Sequence, residues 1–141
     1  VALGCAGLVW GTSRYFLEYC RKDWLLSSST AVARRIAAEP REGTFTYLMT
    51  VPVFSFSYGN IRFVANGHRG VDLHPGARAP RALAPGVNLF IAAPGRAEEL
   101  RQLARELPPG RWEEHHKMGP NRELQMLVLR IDTTVNATAT R

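Results

Sequence analysis

Between Thr44 and Asp72 the chain reads TFTYLMTVPVFSFSYGNIRFVANGHRGVD. Two runs in it, Thr44–Met49 and Asn60–Ala65, have the short, apolar and aromatic make-up of core strands. In the first, Phe45, Tyr47 and Met49 alternate with Thr46 and Leu48. In the second, Ile61, Phe63 and Ala65 fall on one side of a two-residue repeat. The segment between them, Val53–Tyr58, suits either a third alternating strand or a short helical crossover between parallel strands. Gly67 and Gly70 loosen the backbone after the second run, and Val71–Leu73 reads as a further short strand.

The flanking chain supplies helices and more strands. Phe16, Leu17, Cys20 and Trp24 recur at helical spacing within Ser13–Leu26. Ser27–Thr30 offers N-caps to a helix over Ala31–Glu39, which places Val32, Ile36 and Ala37 inward and Arg34 and Arg35 outward. Pro40 and Gly43 stop it. His74–Gly86 is a Pro/Gly/Ala-rich loop. Asn88–Ala92 is a near-continuous apolar run, as a strand buried on both faces requires. A helix then starts at Pro94, with Glu98 and Glu99 at its positive end and Leu100, Leu103, Ala104 and Leu107 as its inward stripe. Arg111–Lys117 and Glu123–Ile131 form a hairpin across Met118–Arg122, and Thr133–Arg141 is a frayed polar tail. Strands alternating with helices and ending in a hairpin mean an α/β fold. The expected architecture is a small, three-layer-like sheet with a parallel centre and a C-terminal antiparallel hairpin, preceded by N-terminal helices.

A length of 141 residues suits one domain, and a 45% hydrophobic share is ample for a core. The formal charge of +6 comes mainly from scattered arginines. Nucleic-acid binders cluster such charge on one face or interleave it with exposed aromatics, so no nucleic-acid partner is expected. Cys5 and Cys20 make neither a disulfide framework nor a zinc pattern. His115 and His116 are adjacent, so a strand points them apart and they cannot chelate together. No GxGxxG, Walker or GxSxG motif occurs. Catalytic residues, metal ligands and cofactors are therefore not assigned. Ligands of open α/β sheets sit beyond the carboxyl ends of the strands, which nominates Tyr58, Asn66, His68, Asp72 and Arg96 for an anionic or sugar ligand.

Val1–Trp10 is apolar and uncharged but too short to cross a bilayer. Val1–Trp10 suits either a buried strand or helix of the domain or the end of a membrane helix. Trp10, Tyr15, Arg14, Arg21 and Lys22 have the make-up of an interfacial flank, so residues 1–12 are expected to end a truncated membrane helix. Residues 13–132 are then a soluble α/β domain and residues 133–141 a flexible tail.

The ordered set of pieces resembles a known family. It comprises an apolar start, Tyr15, Phe16 and Tyr19, then NIRFVANGHRGVD over Asn60–Asp72, NLFIAAPGRAEELRQL after the Pro-rich loop, LPPGRW and a final strand pair. It resembles the C-terminal extracytoplasmic domain of bacterial family 39 membrane glycosyltransferases, which are dolichyl-phosphate-mannose-protein mannosyltransferase-like. The resemblance spans about residues 10–132. It implies a parent enzyme that uses a polyprenyl-phosphate sugar and whose catalytic acid lies outside this sequence. Within that reading the domain is non-catalytic, sits at the membrane on the extracytoplasmic side and shapes acceptor access. Its partners are the transmembrane part of the parent chain and a lipid-linked sugar or acceptor. The alternative is a free-standing α/β module for a small anionic or sugar ligand.

Overall fold

The computed structural model describes residues 28–117 and 120–136. The expected membrane helix, the Ser13–Leu26 helix, both cysteines, and Met118 and Gly119 of the hairpin turn lie outside the described residues. The elements are α1 (Ser28–Ala37), β1 (Thr44–Met49), α2 (Gly59–Val64), β2 (Arg69–Asp72), β3 (Val87–Ala92), α3 (Ala97–Leu103), β4 (Arg111–His116), β5 (Leu124–Asp132) and α4 (Thr133–Asn136). A 3-10 turn, Pro94–Arg96, leads into α3, and a second, Ala104–Glu106, follows it.

The five-stranded sheet has the order β2-β1-β3-β5-β4. β1 is parallel to both β2 and β3, β5 is antiparallel to β3, and β4 is antiparallel to β5. The α/β class with a parallel part and a terminal antiparallel hairpin is therefore what the sequence led us to expect. α2 crosses from β1 to β2 on one face. The 73–86 loop returns to β3 over the other face, where Leu73, Ala79 and Leu83 pack. Steps in opposite directions on opposite faces share one hand, as crossover chirality demands.

Both faces of the sheet are covered. Leu48, Leu89, Ile91, Met126 and Val128 meet Val32, Ala33 and Ile36 of α1 and Ile61 of α2. Tyr47, Met49, Phe90, Leu127, Leu129 and Ile131 meet Leu100 and Leu103 of α3. Tyr47 stacks on Phe90 with centroids 4.4 Å apart, because their Cα atoms are register partners on adjacent strands. Each such side chain, once buried, contributes about 1.5–3 kcal/mol.

Four expectations need correction. Asn60–Ala65 is not a strand but the helix α2 followed by its C-cap, Ala65. Ile61 and Ala65, four apart, are buried, while Phe63 points to solvent. That is a helical repeat, and parallel β1 and β2 need just such a crossover. Val53–Tyr58 is neither strand nor helix but a chain of turns that sets Phe54 into the core, and the Val51–Pro52 peptide before it is cis. On α1, Ala33 is buried where Ala37 was expected, and Arg35 does not point outward. Its guanidinium, with 10% of the side chain exposed, bonds Glu39 of α1 at 3.0 Å and Glu113 of β4 at 2.8 Å. Finally, Thr133–Asn136 of the expected tail form a helical turn.

Candidate functional site

The carboxyl end of the parallel strands is bolted by internal contacts. The Thr50 hydroxyl donates to the Phe54 carbonyl at 2.7 Å. The Asp72 carboxylate accepts from the Phe56 amide at 2.7 Å. Arg96 pairs with Glu99 at 2.7 Å and donates to the Leu73 carbonyl. Glu99 also accepts from the Gly76 amide, and the Arg96 hydrogen bond holds its carboxyl below the usual range against the opposing pull of burial. Asp72 and Arg96 thus fasten the loops that follow β1 and β2.

The five nominated residues do not converge on one point. Because Asn60–Ala65 lies in a helical segment, Asn66 and His68 precede β2 and so lie toward the amino end of the sheet. Tyr58, Asp72 and Arg96 lie toward the carboxyl end. Asn66, His68 and Asp72 nevertheless line one cleft of about 400 Å³ along the α2–β2 edge, together with Arg62 and Phe56. Gly70 is one of its lining residues. A Cβ there would come within 2.6 Å of the Thr46 carbonyl oxygen and 2.5 Å of the Phe56 ring, so only glycine lets the ring settle against the strand. His68 Nδ1 is buried without a hydrogen-bond partner. Burial first, and then the charge of Arg41, lowers the His68 pKa, with Glu39 opposing. The imidazole is therefore held neutral near pH 7.

A second cleft, of about 660 Å³, opens at the amino end of β1. Its lining comes from three stretches: Arg41–Phe45, Gly67 with Arg69, and Ala84–Pro85. The sequence reading looked only beyond the carboxyl ends and missed it. The Gly43 and Gly86 pair was the one available signal. Gly86 has φ +98, and a Cβ on it would lie 2.2 Å from the Gly43 oxygen, so two loops touch there through bare backbone.

Arg35, Arg96 and Arg130 are each held by carboxylates, Arg130 by Glu39 at 3.1 Å. Among the described residues Arg41, Arg62 and Arg69 have no carboxylate partner. Arg69 lies over the Phe45 ring, its guanidinium carbon 6.0 Å from the centroid. His115 and His116 each approach a different glutamate, Glu113 and Glu114, at 3.4 Å. Among the described residues no group of His, Cys, Asp and Glu is arranged to hold a metal ion. No helix among them is long and apolar enough to cross a membrane. Comparison with protein-family models, with curated proteins and with solved structures finds no match.

Proposed function

We propose that this chain is the non-catalytic extramembrane domain of a polyprenyl-phosphate-sugar-dependent membrane glycosyltransferase, seated on the extracytoplasmic side and shaping acceptor access. The observation that supports this reading most is the make-up of the β1–β2 crossover. Val53 and Phe63 are 74% and 86% exposed, Tyr58 is 49% exposed, and Arg62 beside Phe63 has no carboxylate partner. Exposed apolar and aromatic side chains beside a free cation suit a boundary between water and lipid headgroups. The half-buried carboxylates Glu39, Glu99 and Glu113 are spent on ion pairs that fasten the fold.

The test is a sugar-transfer assay on the full coding sequence, with and without residues 30–132. A changed acceptor range or reduced transfer on deletion supports the reading. Unaltered transfer and acceptor choice, or an open reading frame without membrane spans upstream, overturns it. The second reading, a free-standing module for a small anionic ligand, is favoured by one observation: the unpaired Arg41 and Arg69 both line the amino-end cleft.

A further inference from the structure

We propose that the cleft at the amino end of β1 is a binding site for a phosphate monoester, gripped between Arg41 and Arg69. The inference rests on the binding-module reading for the sign of the ligand's charge and adds the place, the residues and the chemical group. It is independent of any link to a glycosyltransferase.

The lining fits the group. At about 660 Å³ the cleft is within the range of small-molecule sites, roughly 300–1,000 Å³. Guanidinium forks match the geometry of phosphate oxygens, and two of them match a dianion. Unlike Arg35, Arg96 and Arg130, neither Arg41 nor Arg69 is neutralised by a carboxylate among the described residues. Both are anchored all the same. Arg69 rests over Phe45, and the Arg41 stem lies along Gly67, within 3.4 Å of where a Cβ would be.

The opposite wall is rigid. Asn88, fully buried, accepts from the Ala84 amide at 3.1 Å and donates to the Ala84 carbonyl at 2.8 Å. The Thr133 hydroxyl accepts from the Gly86 amide at 2.9 Å, and the Val87 amide donates to the Gly43 carbonyl at 2.7 Å. The Ala84–Gly86 turn is thereby set before any ligand arrives, which lowers the ordering cost of binding. The Arg41–Phe45 stretch of the lining contains an unspent donor. Thr44 is 5% exposed, lines the cleft, and its hydroxyl has no hydrogen-bond partner. The Thr46 hydroxyl is also without a partner, but Thr46 is fully buried and lines neither cleft, so of the two only Thr44 is placed where a ligand could meet it. Glu42 lines the same cleft as its one carboxylate. It disfavours a bare polyanion and favours a phosphate attached to a hydroxyl-bearing carbon skeleton, which can donate to it.

Binding of glycerol 3-phosphate to the folded chain, measured by calorimetry at low and at physiological salt, tests this directly. We expect saturable binding that Arg41→Gln and Arg69→Gln each weaken about tenfold, the loss of one charge-assisted contact. Arg62→Gln, which removes an unpaired arginine lining the other cleft, is expected to leave it unchanged. Phosphatidic acid vesicles in place of glycerol 3-phosphate separate the sources. Preference for the free ester assigns a soluble ligand, and preference for the vesicle assigns a headgroup. Binding that survives both glutamine variants keeps the module reading and overturns this site. No binding of either probe by the folded wild-type chain overturns the phosphate-monoester site.

Discussion

Replacing Ile61 with Ala and, separately, Phe63 with Ser separates the two readings of Asn60–Ala65 by experiment. On a strand, Ile61, Phe63 and Ala65 share a face and both substitutions cost alike. On α2 they do not, since Ile61 is 1% exposed and Phe63 is 86% exposed. Ile61 packs into the cluster of Val32, Ile36, Leu48 and Phe54. Its truncation removes three carbons at about 0.8 kcal/mol each, roughly 2.4 kcal/mol, and the cavity raises this to about 3–4 kcal/mol. Phe63→Ser removes a ring already in water and should change stability by about 0.5 kcal/mol or less. Urea titration followed by circular dichroism reads both. With a slope near 1.5–2 kcal/mol/M, Ile61→Ala moves the midpoint down by about 2 M, and Phe63→Ser hardly moves it. Comparable midpoint shifts in the two variants would refute the helix, and with it the crossover that makes β1 and β2 parallel.

Gly86→Ala should destabilise by about 3 kcal/mol or more. It forces a side chain to φ +98 and drives a Cβ to 2.2 Å from the Gly43 oxygen, so strain adds to a broken loop contact. Gly76→Ala, also at positive φ but with open space around it, should lose only the conformational part, and the difference in melting temperature between the two measures the clash. Acid should unfold the protein partly through Glu113. Its hydrogen bond from Arg35 holds its pKa below the ordinary 4.5 against burial. The unfolded chain therefore takes up this proton first as pH falls. The stabilisation is complete above the ordinary carboxylate range and is lost as pH drops through 4.5 toward the lowered folded value. Glu113→Gln should flatten the acid limb of a stability-against-pH curve by at most about 1.4 kcal/mol per pH unit in that window. An unchanged slope would mean that the Arg35 contact does not persist in solution.

How far the fold could be read depends on how many repeats each element offers. β3 is near-continuously apolar apart from Asn88, and α3 with the 3-10 turn and Leu107 that follow it shows its stripe over Leu100, Leu103, Ala104 and Leu107. β5 carries the continuous apolar run Met126–Leu129, buried on both faces as a central strand requires. α2 has six residues, and Ile61 and Ala65 satisfy a two-residue and a four-residue repeat equally. Only Phe63 distinguishes them, and its exposure is a tertiary fact. Arg35 misleads for a related reason: its partner Glu113 is 78 residues away. The amino-end cleft is less legible still. Strand order brings Arg41, Arg69 and Ala84 together, and no local pattern encodes the order β2-β1-β3.

The usual rule places ligands at the carboxyl ends of parallel strands, because helices and strands leave open loops there. In this chain those loops are closed by their own polar groups. Thr50, Asp72 and Arg96 each bond a main-chain group of a neighbouring turn, and Glu99 locks Arg96 in place. Opening that end to a ligand would strand a buried hydroxyl, a carboxylate and a guanidinium, each a substantial penalty. The amino end has the opposite balance. Its turns are fixed by Asn88 and Thr133 from behind. Arg41 and Arg69 line the cleft without an ion-pair partner among the described residues, against the single carboxylate of Glu42, and Thr44 keeps an unused donor. A ligand arriving there displaces no internal bond and neutralises charge that the fold leaves open. For the proposed site, the direction of the strands therefore decides less about where a ligand can sit than which end has already satisfied its polar groups.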